Sequence, residues 1–160
     1  LPVARETSIL ARSPTHEDKA VTPAYDPNNI FAKILRGEAP CSRIFEDDVS
    51  LAFMDIMPRA DGHALIIPKA PVRNLLDIAP DDLARFMPSV QKLALAVKTG
   101  LSAEGISVQQ FNESAGGQVV FHLHFHILPR WTGVSTRPPG GPILSADKLE
   151  PYAAKIRAAL

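Results

Sequence analysis

Apolar positions along this chain change period several times, and each change marks an element. Near the start, Ile30, Phe31, Ile34 and Leu35 share one face of a short helix over Ile30–Arg36, with Gly37 as its stop. Strand signals follow at Ser42–Glu46, Val49–Met54 and His63–Pro68. Asp47-Asp48 forms a tight hairpin between the first two, and Pro58–Gly62 turns between the last two. The run Ala64–Ile67 is continuously apolar, as expected of a strand covered on both faces. From Pro80 to Thr99 the pattern becomes helical, with Leu83, Phe86, Met87, Val90, Leu93, Ala94 and Val97 at three- and four-residue steps. Asp81 and Asp82 suit the positive end of this helix and Lys98 the other, and Gly100 fits a left-handed cap. Pro88 removes a donor inside it and predicts a bend. Gly105–Asn112 reads as a fourth strand and Val119–Arg130 as a fifth. After an irregular connector over Thr132–Pro142, a last helix begins at Ala146 or Pro151 and ends near Ala159.

The order of elements predicts an α+β fold with a mainly antiparallel five-stranded sheet, one long helix and short terminal helices. A length of 160 residues predicts one domain with a proper core. Residues 1–28 lack a sustained apolar period and read as a flexible tail ahead of a domain over residues 29–160. Seventeen basic and seventeen acidic residues balance, which argues against a dedicated nucleic-acid or anionic-membrane surface while leaving a nucleotide-sized ligand compatible. The single Cys41 excludes an internal disulfide, and neither a membrane span nor a secretory h-region stands out, so a cytoplasmic location is expected.

Candidate chemistry concentrates in VVFHLHFHILPR, Val119–Arg130, which holds three of the five histidines. With a period of two, Val119, Phe121, Leu123, Phe125 and Ile127 fall on one strand face and His122, His124 and His126 on the other. Neighbouring imidazoles in such a row stand roughly 6.6 Å apart, too far to bond one another but close enough to surround one substrate group. Burying unpartnered imidazoles is unfavourable, so the row points to function rather than packing. The preceding Gly116-Gly117-Gln118 lets backbone N–H groups approach an anion, and Gln118 adds a side-chain donor. The two signals together suggest a phosphate cradle feeding a row of imidazoles.

GGQVVFHLHFHILPR resembles the mark of the histidine triad (HIT) superfamily, and DIMPRADGHALIIPK, Asp55–Lys69, resembles that family's upstream segment. With NIFAKILRGEAP, the similarity runs from Asn29 to Arg130 and is greatest to the Hint-like branch of nucleoside phosphoramidases and related hydrolases. The resemblance implies a HIT-like sheet extended by homodimerisation, a purine nucleotide substrate and no cofactor. It implies attack on the α-phosphate by His124, with His126 near the leaving group, His122 orienting the nucleophile and His63 completing the cluster. It further implies that Asp55 takes the ribose hydroxyls, that Ile56, Phe31 and Ile34 surround the base, and that Asn112, Gly117, Gln118 and Val119 face the phosphates together with His126.

Three departures bear on these roles. Val119 stands where relatives often have Ser or Thr, leaving only its backbone N–H for phosphate. Asn112 lies one residue nearer the Gly-Gln pair than in the better-known eukaryotic pattern. Asn29 and Ala32 occupy the positions of a zinc-binding Cys-x-x-Cys in some bacterial relatives, so no structural zinc is expected. Alternatives are a dinucleoside polyphosphate hydrolase or nucleotidyl transferase, a metal-dependent enzyme using three of His63, His122, His124 and His126, and a nucleotide-binding regulatory protein.

Overall fold

The computed structural model describes residues 23–160; the expected tail over residues 1–22, with His16, lies outside them. The elements are α1 (Ile30–Leu35), β1 (Arg43–Glu46), β2 (Ser50–Met54), β3 (Ala64–Pro68), α2 (Pro80–Gly100), β4 (Gly105–Gln109), β5 (Phe125–Arg130) and α3 (Ala146–Arg157). The strands form one sheet in the order β1-β2-β3-β5-β4, with every neighbouring pair antiparallel. This is the expected α+β architecture.

Local chemistry sets the element ends. Asn29 caps α1 by accepting the Ala32 N–H on its side chain at 2.9 Å, and Gly37 ends the segment at φ 75°. At the β1–β2 hairpin one Asp47 carboxylate oxygen accepts from the backbone N–H groups of Val49 and Ser50, and the other from the Ser89 hydroxyl on α2.

Alternation along the strands sorts the core into two layers. Ala52, Met54, Ala64, Ile66, Phe125 and Ile127 pack against Phe86, Val90, Leu93 and Val97 of α2 and Leu149, Ala153 and Ile156 of α3. Leu51, Phe53, Leu65 and Ile67 face the other way and pack against Phe31 and Ile34 of α1. Every residue of β3 is buried, as its unbroken apolar run predicts.

The helix α2 continues through Pro88 as one element, and a proline there leaves the Ala84 carbonyl without its helical donor. Several other expectations are corrected. Gly100 belongs to the helix, and the left-handed residue is Ser102 at φ 52°. Gly100 is needed for space: a Cβ there would collide with the Lys155 carbonyl where α3 crosses. Ile30, expected on the buried face of α1, is 47% exposed. Tyr25, which falls within the expected tail, is docked against the histidine segment. Both late strands are shorter than predicted: β4 stops at Gln109, and β5 starts at Phe125 rather than Val119.

Candidate active site

Only His126 of the histidine row lies in regular strand. The β3–β5 ladder pairs Ala64, Leu65 and Ile66 with Ile127, His126 and Phe125. Two residues further along β3 is Pro68, which has no N–H to continue it. Its carbonyl is taken instead by the ring of His122, at 2.9 Å, while the Leu123 N–H turns aside to the Val72 carbonyl. The expected alternation therefore holds from His122 onward and fails before it. Leu123, Phe125 and Ile127 are in the core, but Val119 is 84% exposed and Phe121 lies under the Arg73 guanidinium. Outside the regular strand the rings also draw closer than the strand spacing requires, with His124 and His126 centroids 5.0 Å apart.

Partners that can only donate or only accept fix the tautomers. His124 Nδ1 lies 2.6 Å from the His122 carbonyl, so it carries the proton and Nε2 keeps a lone pair. That lone pair has no hydrogen-bond partner among the described residues, and no side-chain nitrogen lacking a partner is sealed from solvent. His122 donates Nε2–H to Pro68, so its Nδ1 must accept, and it does so from the Tyr25 hydroxyl at 2.6 Å. In the second pair, the Arg59 backbone N–H donates to His63 Nδ1 at 3.1 Å, which puts the His63 proton on Nε2. His63 Nε2–H then donates to His126 Nδ1 at 3.0 Å, leaving His126 with an outward Nε2–H. The Asp55 carboxylate is 3.5 Å from His63 Nδ1 and 3.9 Å from His126 Nδ1, too long to displace these bonds.

Burial keeps the cluster neutral. It pushes His63 and His126 down to about 3 and His122 to about 4, and it lowers His124 as well, against the opposing pull of the His122 carbonyl and Asp55. Burial raises the Asp55 carboxyl, partly offset by the Met57 N–H and by His124. A neutral imidazole with a bare Nε2 beside an outward N–H is suited to attack on an electrophilic centre while the neighbour binds its oxygens.

The loop before the histidines is built differently from the expected cradle. The backbone N–H groups of Gly116, Gly117 and Gln118 all donate inside the loop, around a 3-10 turn over Ser114–Gly116. The buried Gln118 amide donates to the Arg73 and Val120 carbonyls and accepts from Asn74 and from the Glu113 N–H, so its hydrogen-bonding capacity is filled. Gln118 therefore shapes the loop rather than offering a side-chain donor. Asn112 is also engaged, accepting from Leu75 N–H and exchanging amide bonds with Gln110. The Val119 N–H, by contrast, has no hydrogen-bond partner among the described residues. Gly117 sits at φ 91° and Glu113 at φ 60°, the latter held by two bonds from Arg73 and one from Asn74.

Phe31 stands edge-on to His124, with centroids 5.0 Å apart, and forms the apolar wall of the site. Ile34 lies in the core with Leu51 and Phe53, and Ile56 is 46% exposed on the loop after Asp55. Sequence reading missed Tyr25, Arg59, Arg73 and Glu113, whose contacts span 4 to 97 residues along the chain and carry no periodic signal. A Tyr isolated in a polar lead-in beside Pro27 was the one available hint.

For a metal, Asp55, His63 and His126 place one ligand atom each within 4.8 Å of one another. Both nitrogens of His63 and of His122 are already hydrogen-bonded, so either histidine would have to break a bond to ligate. A cavity of about 770 Å³ opens elsewhere, lined by Leu101, Trp131, Arg137 and Tyr152 among others, and none of the four histidines lines it. No helix among the described residues is long and apolar enough to cross a membrane.

The chain is similar in sequence and fold to several known proteins. A HIT-like protein involved in cell-cycle regulation from Bartonella henselae, solved with an unknown ligand, is 54% identical, with a TM-score of 0.82 over 86% of this chain and 100% of that one. The adenosine 5'-monophosphoramidase of Schizosaccharomyces pombe is 39% identical over 101 residues, which is 63% of this chain and 73% of that protein. An adenylylsulfatase of Arabidopsis thaliana is 38% identical over 63% of this chain and 51% of its own length. Residues 36–133 match the HIT domain, and the chain belongs to that family.

Proposed function

We propose that this protein hydrolyses a nucleoside 5'-phosphoramidate, or a related nucleoside-phosphate bond, at the α-phosphate through a nucleotidyl intermediate on His124. The observation that carries the reading is the His124 tautomer: Nδ1–H is held by the His122 carbonyl, so Nε2 presents its lone pair beside the outward Nε2–H of His126. In the first step the Nε2–phosphorus bond forms and the bond to the leaving group breaks. The new positive charge on the imidazole is stabilised through Nδ1–H by the His122 carbonyl, and a departing amine takes its proton from solvent. In the second step water attacks phosphorus and gives a proton to solvent as the Nε2–phosphorus bond breaks, so that the nucleoside monophosphate leaves and His124 returns to its neutral form.

The Nε2–H of His126 and the N–H of Val119 are the donors available to the phosphoryl oxygens and the leaving group. Gly117, Gln118 and Asn112 hold the loop that presents Val119. Asp55 takes the ribose hydroxyls, and Phe31, with Ile56 at the rim and Ile34 behind, accommodates a purine. The fission-yeast and plant relatives are named as an adenosine 5'-monophosphoramidase and an adenylylsulfatase, and both names support an adenylyl substrate with a leaving group that varies. A homodimer belongs to the same reading: β4 is a sheet edge, and Val108 on it and Leu95 on α2 are 50% and 60% exposed. Light scattering at micromolar concentration should give twice the chain mass.

Turnover of adenosine 5'-phosphoramidate after chelator dialysis tests the chemistry. Metal-stripped protein should release AMP, and His124→Asn should lose several orders of magnitude in rate while still binding nucleotide. His122→Asn and His126→Asn should slow turnover by roughly a hundred- to a thousandfold yet still trap nucleotide on a peptide containing Phe121–Arg130. Stripped protein that is inert until zinc or manganese is restored would pass the site to a metal mechanism.

A further inference from the structure

The connector between β5 and α3 folds back over the turn between β2 and β3 and is bonded to it at several points. The Arg137 N–H donates to the Arg59 carbonyl at 2.7 Å, the Leu144 N–H donates to the Ile56 carbonyl at 2.7 Å, and Arg59 Nε returns a bond to the Arg137 carbonyl at 3.2 Å. The Arg137 guanidinium makes two kinds of contact. Its Nε donates to the Pro58 carbonyl at 2.9 Å, and its two terminal nitrogens donate to one Asp61 oxygen at 2.9 Å.

The Pro58 carbonyl and the Arg59 N–H are the two ends of one peptide group. That N–H is the donor that holds His63 Nδ1 and so places the His63 proton on Nε2, toward His126. A peptide group whose oxygen accepts from a cation becomes a stronger donor at its nitrogen, because hydrogen bonds in a chain polarise one another. An unbroken series of bonds thus runs from the Arg137 guanidinium through the Pro58–Arg59 peptide and His63 to His126. Asp55 heads the same strapped turn.

We infer that Arg137, which lies outside the histidine cluster and touches none of its rings, is a positioning residue that sets the tautomer and orientation of His126 through the Pro58–Arg59 peptide and His63. Its side chain is half exposed, at 49%, which leaves it open to substitution without disturbing the core. The inference rests on the reading of His126 as the donor to phosphate and leaving group. Its first test, however, is independent of turnover.

Long-range nitrogen–proton spectra of the histidine rings in the full-length chain report which nitrogen of each ring carries a proton. In the unmodified protein His63 and His126 should both appear as Nε2–H rings. In Arg137→Met and Arg137→Leu, whose side chains have no donor for the Pro58 carbonyl, the His63 Nδ1 signal should move toward an unbonded acceptor and the His63 Nε2–H should exchange faster with water. If the α-phosphate reading is also right, kcat for adenosine 5'-phosphoramidate should fall roughly two- to thirtyfold with KM little changed. Asp61→Asn removes the ion pair but keeps the donor to Pro58, and it should leave ring signals and kcat close to those of the unmodified protein. Ring signals in Arg137→Met that match the unmodified protein overturn the inference whatever the rate does, as does an Asp61→Asn variant that reproduces the Arg137 effects. Altered ring signals in a protein that never turns over the phosphoramidate would uphold the relay and sink the proposed reaction.

Discussion

The two faces of the sheet are held by different forces. On the helix face, α2 and α3 cover Ala52, Met54, Ala64, Ile66, Phe125 and Ile127 with apolar side chains supplied at helical spacing. On the other face the small apolar layer under α1 gives way to a polar assembly. His63, Asn74, Gln118, His122 and His124 are buried there, with no buried side-chain polar atom left unpartnered among the described residues. The first face tolerates imprecise direction, because burial of apolar area is non-directional. The second depends on angles and on which atom carries a proton, so each of its groups is fixed by a specific donor or acceptor. The contrast teaches where stability and chemistry can be altered separately.

Truncation in the helix-face core should show the largest effect on stability. Leu93 is fully buried between α2 and the sheet, and Leu93→Ala should destabilise the fold by about 2–5 kcal/mol through lost burial and the cavity left behind. The folded fraction should retain the tautomers and the turnover of the histidine face. Chemical denaturation measures the first quantity, and ring spectra with kcat per folded molecule measure the second. A Leu93→Ala protein of normal stability, or one with scrambled histidine tautomers, would show that the faces are not separable.

The same contrast explains what could be read from sequence. The helix face was legible because its positions form patterns: Leu83 to Val97 recur at helical steps and mark α2, and the unbroken apolar runs Leu51–Met54 and Ala64–Ile67 mark β2 and β3. Family resemblance added His63 to the histidine cluster and put Asp55 at the ribose; His63 Nε2 is 3.0 Å from His126 Nδ1, and the Asp55 carboxylate is 3.5 Å from His63 Nδ1. The start of β5 was misplaced because the His-x-His-x-His alternation persists beyond the last ladder pair, Ile66 with Phe125, and alternation does not reveal the missing N–H of Pro68 on the neighbouring strand. The amides of Gly116, Gly117 and Gln118 were read as open donors because composition does not tell whether a loop bonds to a ligand or to itself. Tyr25 and Arg137 were invisible for a simpler reason. Each acts through one bond to a residue far away in sequence, at separations of 97 and 79 residues.

Tyr25 offers the matching change on the histidine face. Tyr25→Phe keeps the ring that stands edge-on to His122 and removes only the hydroxyl that donates to His122 Nδ1. The orphaned buried acceptor should destabilise the fold by about 1–3 kcal/mol, less than Leu93→Ala. Unlike the core truncation, it should also lower kcat, because the His122 carbonyl that holds the His124 proton belongs to the residue set loose. A roughly tenfold fall in kcat with KM little changed is expected. Tyr25→Phe with unchanged kcat and lowered stability would reduce Tyr25 to packing, and the faces would then differ less than their bonds suggest.

Acid should expose the difference between the faces as a slope spread over pH rather than as the effect of one substitution. In the folded protein His63 and His126 lie at about 3 and His122 at about 4, all three because burial disfavours the charged ring. Unfolded, each returns to about 6.5. Between those values the unfolded chain binds more protons than the folded one, so unfolding free energy rises with pH and falls on acidification. The loss begins as pH drops through about 6.5 and continues toward 4, at up to about 1.4 kcal/mol per pH unit for each histidine. Above pH 7 all three are neutral in both states, and they contribute no slope. The apolar helix face has no part in this, so Leu93→Ala should shift the whole stability curve downward without changing its acid slope, whereas His122→Asn, which removes one of the buried titrating rings, should flatten it. Urea midpoints at half-unit steps from pH 7.5 to 4.5 would distinguish these shapes. An unmodified protein whose stability stays level down to pH 5 would mean that the histidines accept protons in the folded state, and the neutral tautomers assigned to the site would have to be abandoned.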